Sequence, residues 1–368
     1  MNSNNKNCQE VININNSNST NADVINPNLK KSARIHSIDT MRGYQILLMI
    51  AGHYNSFLRL DYFETAMFTM FVRNMVEQVA NPLFIIVMGV ALVLSMDQRK
   101  KRGKTFRDNL IHQIKRANIF FMLNQVLVIT YIIYFGVEIT FTQAGLYPGW
   151  ITSLGIIAVF CFLLLYVKKL YRILIMIVVE LLYEMHFISG WWIFNLSAFF
   201  YMTFGTLIGE YILEARENNS WRAFQIKIFI SGIILFTLGI IAEYYLYVTY
   251  DLTIPHTTTK YAPFFNIYAL GMFTFVFSIF FRIQDYKREK GMRIEAISPF
   301  SNLSLTLFYA HLIVMAVLLI PIGMGNALSV YSFIVFILCF YIFVYLLGAL
   351  WARKGYIYSF EWIIRKFS

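Results

Sequence analysis

From Ser37 to its end the chain alternates apolar runs of about 20 residues with short charged clusters, and about 20 apolar residues is what an α-helix needs to cross the hydrocarbon core of a bilayer. Ten such runs can be marked, at 43–60, 76–96, 115–135, 148–167, 171–188, 191–213, 224–247, 263–282, 303–321 and 330–351. Backbone polar groups find no water in hydrocarbon, so each run is expected to be a helix, and its Gly and Pro residues are tolerated because neighbouring helices satisfy the freed groups. Composition closes off the soluble alternative. Apolar residues make up 58% of the 368 and charged residues 14%, with a mean hydropathy of +0.58, whereas soluble domains carry about 25% charge. The expected fold is therefore all-α, a polytopic bundle of ten transmembrane helices.

Orientation follows from the basic residues. With the N-terminus cytoplasmic, 28 of the 31 Lys and Arg fall on inner segments, leaving Arg59, Arg73 and Lys260 outside, the asymmetry that inserted helices adopt. Both termini are then cytoplasmic in a multi-pass protein of the cell membrane. The same partition accounts for the net charge of +11 without a nucleic-acid partner. Residues 1–36 form an Asn- and Ser-rich tail, expected to be disordered because it has too little apolar surface to offset its ordering entropy, and 37–368 form the membrane domain. The tail has no apolar core of a signal peptide. Asp61–Met75, with Phe63, Met67, Phe68, Met70 and Phe71, reads as an outer interfacial helix or lid. Cys8, Cys161 and Cys339 have no zinc-ligand spacing, and no metal site is expected.

Ionisable residues inside the runs are the candidates for chemistry, because charge is costly there. Arg42 and His53 flank ten residues of the first run, three helical turns and roughly 16 Å apart, which puts Arg42 at the cytoplasmic interface and His53 near the midplane. His311 lies eight residues past Leu303 at comparable depth, so the two histidines are expected to meet or else to be hydrogen-bonded packing residues. The basic loop Arg99–Arg107, with Lys115 and Arg116, carries eight positive charges. These suit either phosphates or anionic lipid. Arg116 opens a run containing Asn118, Asn124 and Gln125 and can point inward to an anion. Glu180, with Glu184 one turn beyond, fits a proton path, an acceptor site or a charge pair. Asp39, Asn195, Ser197, Asn266, Asn302, Ser304 and Thr306 can line a cavity or bond across helices. Nucleotide-binding and zinc-hydrolase motifs are lacking.

Three stretches, SIDTMRGYQILLMIAGH (37–53), NPLFIIVMGVALVLSM (81–96) and LTLFYAHLIV (305–314), resemble the integral-membrane acyltransferases of the heparan-α-glucosaminide N-acetyltransferase and YeiB-like group. The closing WARKGYIYSFEWIIRKF (351–367) is similar to the Gly-Pro-x-Glu-Trp-x-x-Arg ending of YeiB-like proteins through Glu361, Trp362 and Arg365, with Tyr358 and Ser359 in place of Gly-Pro. The Arg, ten residues, His spacing also resembles acyltransferase family three. The resemblance implies transfer of an acyl group, usually acetyl, from cytosolic acyl-CoA to a hydroxyl or amine of a glycan across the membrane. It implies catalytic roles for His53 and His311 and donor binding by Arg42 and Arg116, to which Lys115 and Asn124 are added as neighbours; Asp39, Glu180 and Ser304 remain further cavity candidates. Acyl-CoA is a co-substrate, and no permanently bound cofactor is expected. A homodimer is left open. The rival expectation is a proton-coupled secondary transporter in which His53, His311 and Glu180 relay protons.

Overall fold

The computed structural model describes residues 34–59, 78–135, 150–184, 196–250, 262–286 and 294–367, and the compact unit is His36–Ser368. The lid segment, Glu64, Asn195, Cys8 and nearly all of the tail lie outside the described residues, as does the side chain of Glu184. Twelve α-helices are described: α1 (His36–Leu58), α2 (Gln78–Lys101), α3 (Phe106–Phe135), α4 (Trp150–Leu164), α5 (Lys169–Glu184), α6 (Leu196–Glu217), α7 (Trp221–Tyr250), α8 (Ala262–Gln284), α9 (Ser298–Asn302), α10 (Ser304–Val314), α11 (Val330–Ala352) and α12 (Phe360–Phe367). Among the described residues there is no strand, only an isolated bridge between Arg59 and Leu328. Every one of the ten apolar runs holds a helix. Five helices (α2, α6, α7, α8 and α11) are long and apolar enough to cross a membrane, and a bent pair, Glu295–Asn302 with Ser304–Leu319, brings the number to six.

Apolar side chains are distributed as lipid solvation requires. Leu170 and Leu181 on α5, Ile241 on α7 and Val335 and Leu346 on α11 are exposed, a pattern that water would penalise and hydrocarbon does not. Inside, helices approach through small residues, since lipid supplies no hydrophobic force between them and close packing must do so. At the α2–α6 crossing a Cβ on Gly89 would sit 2.2 Å from Met202 O, and one on Gly205 2.1 Å from Ile86 O.

Two elements depart from the sequence expectation. Helix α3 starts at Phe106, nine residues before its apolar run, because Thr105 and Asp108 form a reciprocal cap: the Asp108 N–H donates to Thr105 Oγ1 at 3.2 Å and the Thr105 N–H donates to the Asp108 carboxylate at 3.0 Å. These bonds from Thr105 hold the Asp108 carboxyl below its ordinary pKa. At 30 residues α3 rises about 45 Å, more than the thickness of a hydrocarbon core. The ninth run is not one rod. A 73° bend separates Glu295–Asn302 from Ser304–Leu319. Pro299 opens α9, and Leu303 leaves the helical region at φ −114° and ψ 20°. After α10 the chain widens into a π-turn over Met315–Leu319.

The helices on either side of this break are held by distant segments. The N-terminus of α1 has orphan N–H groups; those of His36 and Ser37 donate to the two Asp285 carboxylate oxygens at 3.0 and 2.8 Å. At its other end the carbonyls of Phe57 and Leu58 accept from the N–H groups of Asn326 and Leu328 at 3.0 and 2.8 Å. Helix α10 starts within the protein, and Glu361 of α12 caps it, accepting from Leu305 N–H at 2.6 Å, Thr306 N–H at 3.2 Å and the Thr306 hydroxyl at 2.6 Å.

Candidate active site

Arg42 and His53 lie 11 residues apart on α1, which at 100° per residue brings them within about 20° of one helix face. His53 meets His311 of α10 there. His53 Nδ1 lies 2.8 Å from His311 Nε2, with the rings nearly parallel and their centroids 5.1 Å apart. His311 is 1% exposed and its Nδ1 lies 2.8 Å from Leu307 O. A carbonyl can only accept, so His311 Nδ1 carries the proton. With both rings uncharged, His311 Nε2 is then a bare acceptor, and the proton between the rings belongs to His53 Nδ1. This leaves His53 Nε2 with a free lone pair. His53 is half-buried, and its Nε2 makes no hydrogen bond among the described residues. Tyr54, fully buried, donates to His311 O at 3.2 Å and packs edge-on against the His311 ring, fixing the second histidine from the α1 side. The π-turn follows within the same stretch, as such turns often do beside functional groups.

A cavity of about 280 Å³ opens among α1, α2, α3, α10 and α12, lined by Arg42, Gln113, Arg116, Ser304, Glu361 and Arg365 together with apolar side chains. The Arg116 guanidinium presents a buried Nε with no hydrogen-bond partner, a donor that an anion entering the cavity can satisfy. Arg42 stands 4.0 Å from Asp39 one turn earlier, at the edge of the same helix face. A smaller space of about 30 Å³ shares Phe84, Met88, Phe120 and Leu305 with the cavity and extends past Met49, Asn81 and Phe308. Met49 precedes His53 by one turn, and Phe308 lies edge-on to His311 at 6.0 Å. The smaller space thus runs from beside the arginine cavity to Met49 and Phe308, which neighbour the two histidines, and neither histidine lines it.

Helical phase sorts the remaining candidates. Gln113, Arg116, Ala117 and Phe120 share one face of α3 and line the cavity. Lys115 is turned about 100° from Arg116, is exposed, and does not line it. Asn124 is buried outside the lining, about 80° out of phase with Arg116. Ser304, the first residue of α10, does line the cavity, whereas Asp39 reaches it only through Arg42. Glu180 accepts a hydrogen bond from Asn266, whose carbonyl accepts from the Tyr201 hydroxyl. None of the three lines either space, and among the described residues no hydrogen bond of this group leads to His53 or His311. Gln113, Glu361 and Arg365 were not singled out for the site from sequence. Gln113 was legible as the residue three before Arg116, and the other two stand in the Glu-Trp-x-x-Arg ending.

A family model described as an acyltransferase domain matches residues 35–348. The chain belongs to acyltransferase family three. Both histidines, Arg42, Arg116 and Ser304 lie within that match, and α12 with Arg365 lies beyond it. The protein is a membrane acyltransferase. No curated protein matches the chain at a significant level.

Proposed function

We propose that the protein transfers an acyl group, acetyl in the first instance, from cytosolic acyl-CoA to a hydroxyl or amine of a cell-envelope glycan. The observation that carries this reading is the hydrogen-bonded chain from Leu307 O through His311 to His53, which leaves one basic nitrogen free; the small apolar space that adjoins the arginine-lined cavity and ends at Met49 and Phe308 is read as the passage between them. The donor's phosphates rest against Arg42 and Arg116, and its extended arm runs along the passage to bring the thioester carbonyl to His53. As the acceptor oxygen or nitrogen attacks that carbonyl carbon, His53 Nε2 takes its proton, the mode of action of a general base. The resulting imidazolium keeps its Nδ1–H on His311 Nε2, an acceptor that gains strength as the charge forms. When the tetrahedral oxyanion collapses the carbon–sulfur bond breaks, and the His53 proton passes to the departing thiolate, so that thiol and ester or amide leave with atoms and charge balanced.

Within the family, Glu361, Trp362 and Arg365 support kinship with the YeiB-like group. Ten crossings with both ends cytoplasmic fit the capping contacts: the start of α1 meets the end of α8, the start of α10 meets α12, and the end of α1 meets the loop before α11. Each contact joins ends that this topology puts on one side. An impermeant reagent applied to intact cells should label Thr142→Cys and spare Lys104→Cys; the reverse pattern refutes the orientation. For the reaction, purified protein is incubated with labelled acetyl-CoA and envelope glycan fractions. Label on glycan with release of CoA is the expected result. Proton-driven solute uptake by proteoliposomes without CoA consumption would overturn the reading in favour of transport.

A further inference from the structure

The helix beyond the family match, α12, has its own place in the cavity wall. Glu361, Ile364 and Arg365 line it from one face of α12 within little more than one turn, together with Arg42 and Arg116. The attachment is specific. Glu361 takes three hydrogen bonds from the first turn of α10, and the Phe360 N–H donates at 2.9 Å to the same Thr306 hydroxyl that Glu361 accepts from. The Phe360 ring packs edge-on against Tyr309 at 4.8 Å. Ser359 accepts from the Trp362 N–H at 3.1 Å and starts the helix at the buried end. The three hydrogen bonds and the positive end of α10 offset part of the Glu361 charge, and the cationic side chain of this wall is Arg365. Arg365 Nε bonds only its own helix, to Glu361 O at 3.3 Å. Its guanidinium therefore retains donors for a ligand.

We propose that α12 is a wall of the donor site, with Arg365 a third ligand for the phosphate groups of the acyl donor and Glu361 the positioning residue that fixes α12 to α10. This rests on reading the arginine cavity as the donor site. A phosphate can also be that of a lipid headgroup, because α12 carries Trp362, Lys366 and Phe367, and the test must separate the two sources.

Binding of CoA and of pantetheine, which lacks every phosphate, is measured with the full-length protein in lipid-free detergent and in nanodiscs with and without phosphatidylglycerol. Arg365→Ala should weaken CoA about tenfold in detergent, lower the salt dependence of binding, and leave pantetheine unchanged; Arg365→Lys should recover most of the loss. Glu361→Gln should weaken CoA comparably, with no further loss when Arg365→Ala is added, and should also lower kcat through α10. Unchanged CoA affinity of Arg365→Ala in detergent overturns the proposal, and an effect confined to phosphatidylglycerol nanodiscs overturns it in favour of a lipid headgroup. Arg42→Ala and Arg116→Ala distinguish the two failures. If they weaken CoA while Arg365→Ala does not, the donor cavity stands and α12 is no part of it; if none of the three has an effect, the cavity itself is not the donor site.

Discussion

The direction of the two-histidine chain makes the histidines unequal, and that inequality can be measured. In the proposed mechanism His53 exchanges a proton with the substrate, so His53→Gln, which keeps hydrogen bonding without basicity, should lower kcat by about 10²- to 10⁴-fold. His311 acts only through His53. Its Nε2 accepts at 2.8 Å a bond worth about 0.5–1.5 kcal/mol from a neutral ring and about 1.5–3 from a charged one. The increment of about 1–1.5 kcal/mol as His53 takes up the proton corresponds to roughly tenfold in rate. His311→Leu, which removes the acceptor, should therefore cost about tenfold, and His311→Gln, whose side-chain carbonyl can accept the same proton, should restore most of it. Because one residue works through the other, the double variant His53→Gln/His311→Leu should be no slower than His53→Gln alone. The assay is kcat at saturating acetyl-CoA, with donor affinity and thermal unfolding in detergent as controls for binding and fold. Full activity in His53→Gln together with loss in His311→Gln reverses the roles; independent, additive losses refute the relay.

Other outcomes follow from single contacts. Arg116→Ala removes a guanidinium with an open buried donor and should weaken acetyl-CoA by about 1.5–3 kcal/mol, read by titration. Gly43→Ala places a Cβ 2.2 Å from Ile297 Cγ2 and 2.9 Å from Ile297 O, so the protein should lose about 1–3 kcal/mol of stability as α1 is pushed off the 295–297 turn, seen as a lower Tm. Asp285→Ala leaves two N–H groups of α1 without their acceptor and should cost about 0.5–2 kcal/mol, with Asp285→Asn in between. The Asp108 carboxyl has a folded-state pKa below its unfolded value, so its cap is present above the ordinary aspartate pKa and lost as pH falls through the lowered one. The protection of the Thr105 amide against exchange should hold from neutral to mildly acid pH and fall only beyond that point, whereas Asp108→Ala should remove it throughout.

The sequence reveals whatever rests on local period and depth. Ten apolar runs are ten helical regions because hydrocarbon leaves a backbone no other choice, and the encounter of His53 with His311 follows from counting residues along two helices of like direction. Helical phase was in principle readable too: Lys115 and Arg116 cannot both face one cavity from adjacent positions, and Gln113 shares the Arg116 face. The caps are a different matter. Asp285 is 249 residues from His36 and Glu361 is 56 from Leu305, and a carboxylate that serves a distant helix start leaves no mark in its own neighbourhood. The break at Leu303 was hidden for a related reason. Ser304 and Leu305 continue an apolar helix pattern, and only a partner for the freed N–H groups, supplied from α12, makes an interior start tolerable.

Those distant caps bear on the order in which the protein can be made. Helix α1 leaves the ribosome first, yet the acceptor for its opening N–H groups is Asp285 and the donors for its closing carbonyls are Asn326 and Leu328. At about 5–20 residues per second, the first of these arrives roughly 11–45 s after α1 is complete. In the proposed topology the first helix sits in the bilayer during that interval with ends that only water and headgroups can satisfy. It can shift in depth and rotation until the last third of the chain secures it, and His53 gains its partner only then. A chain that stops short of that point carries His53 without the ring that orients it and without the α10 and α12 walls of the cavity, so nascent and truncated products lack a complete site.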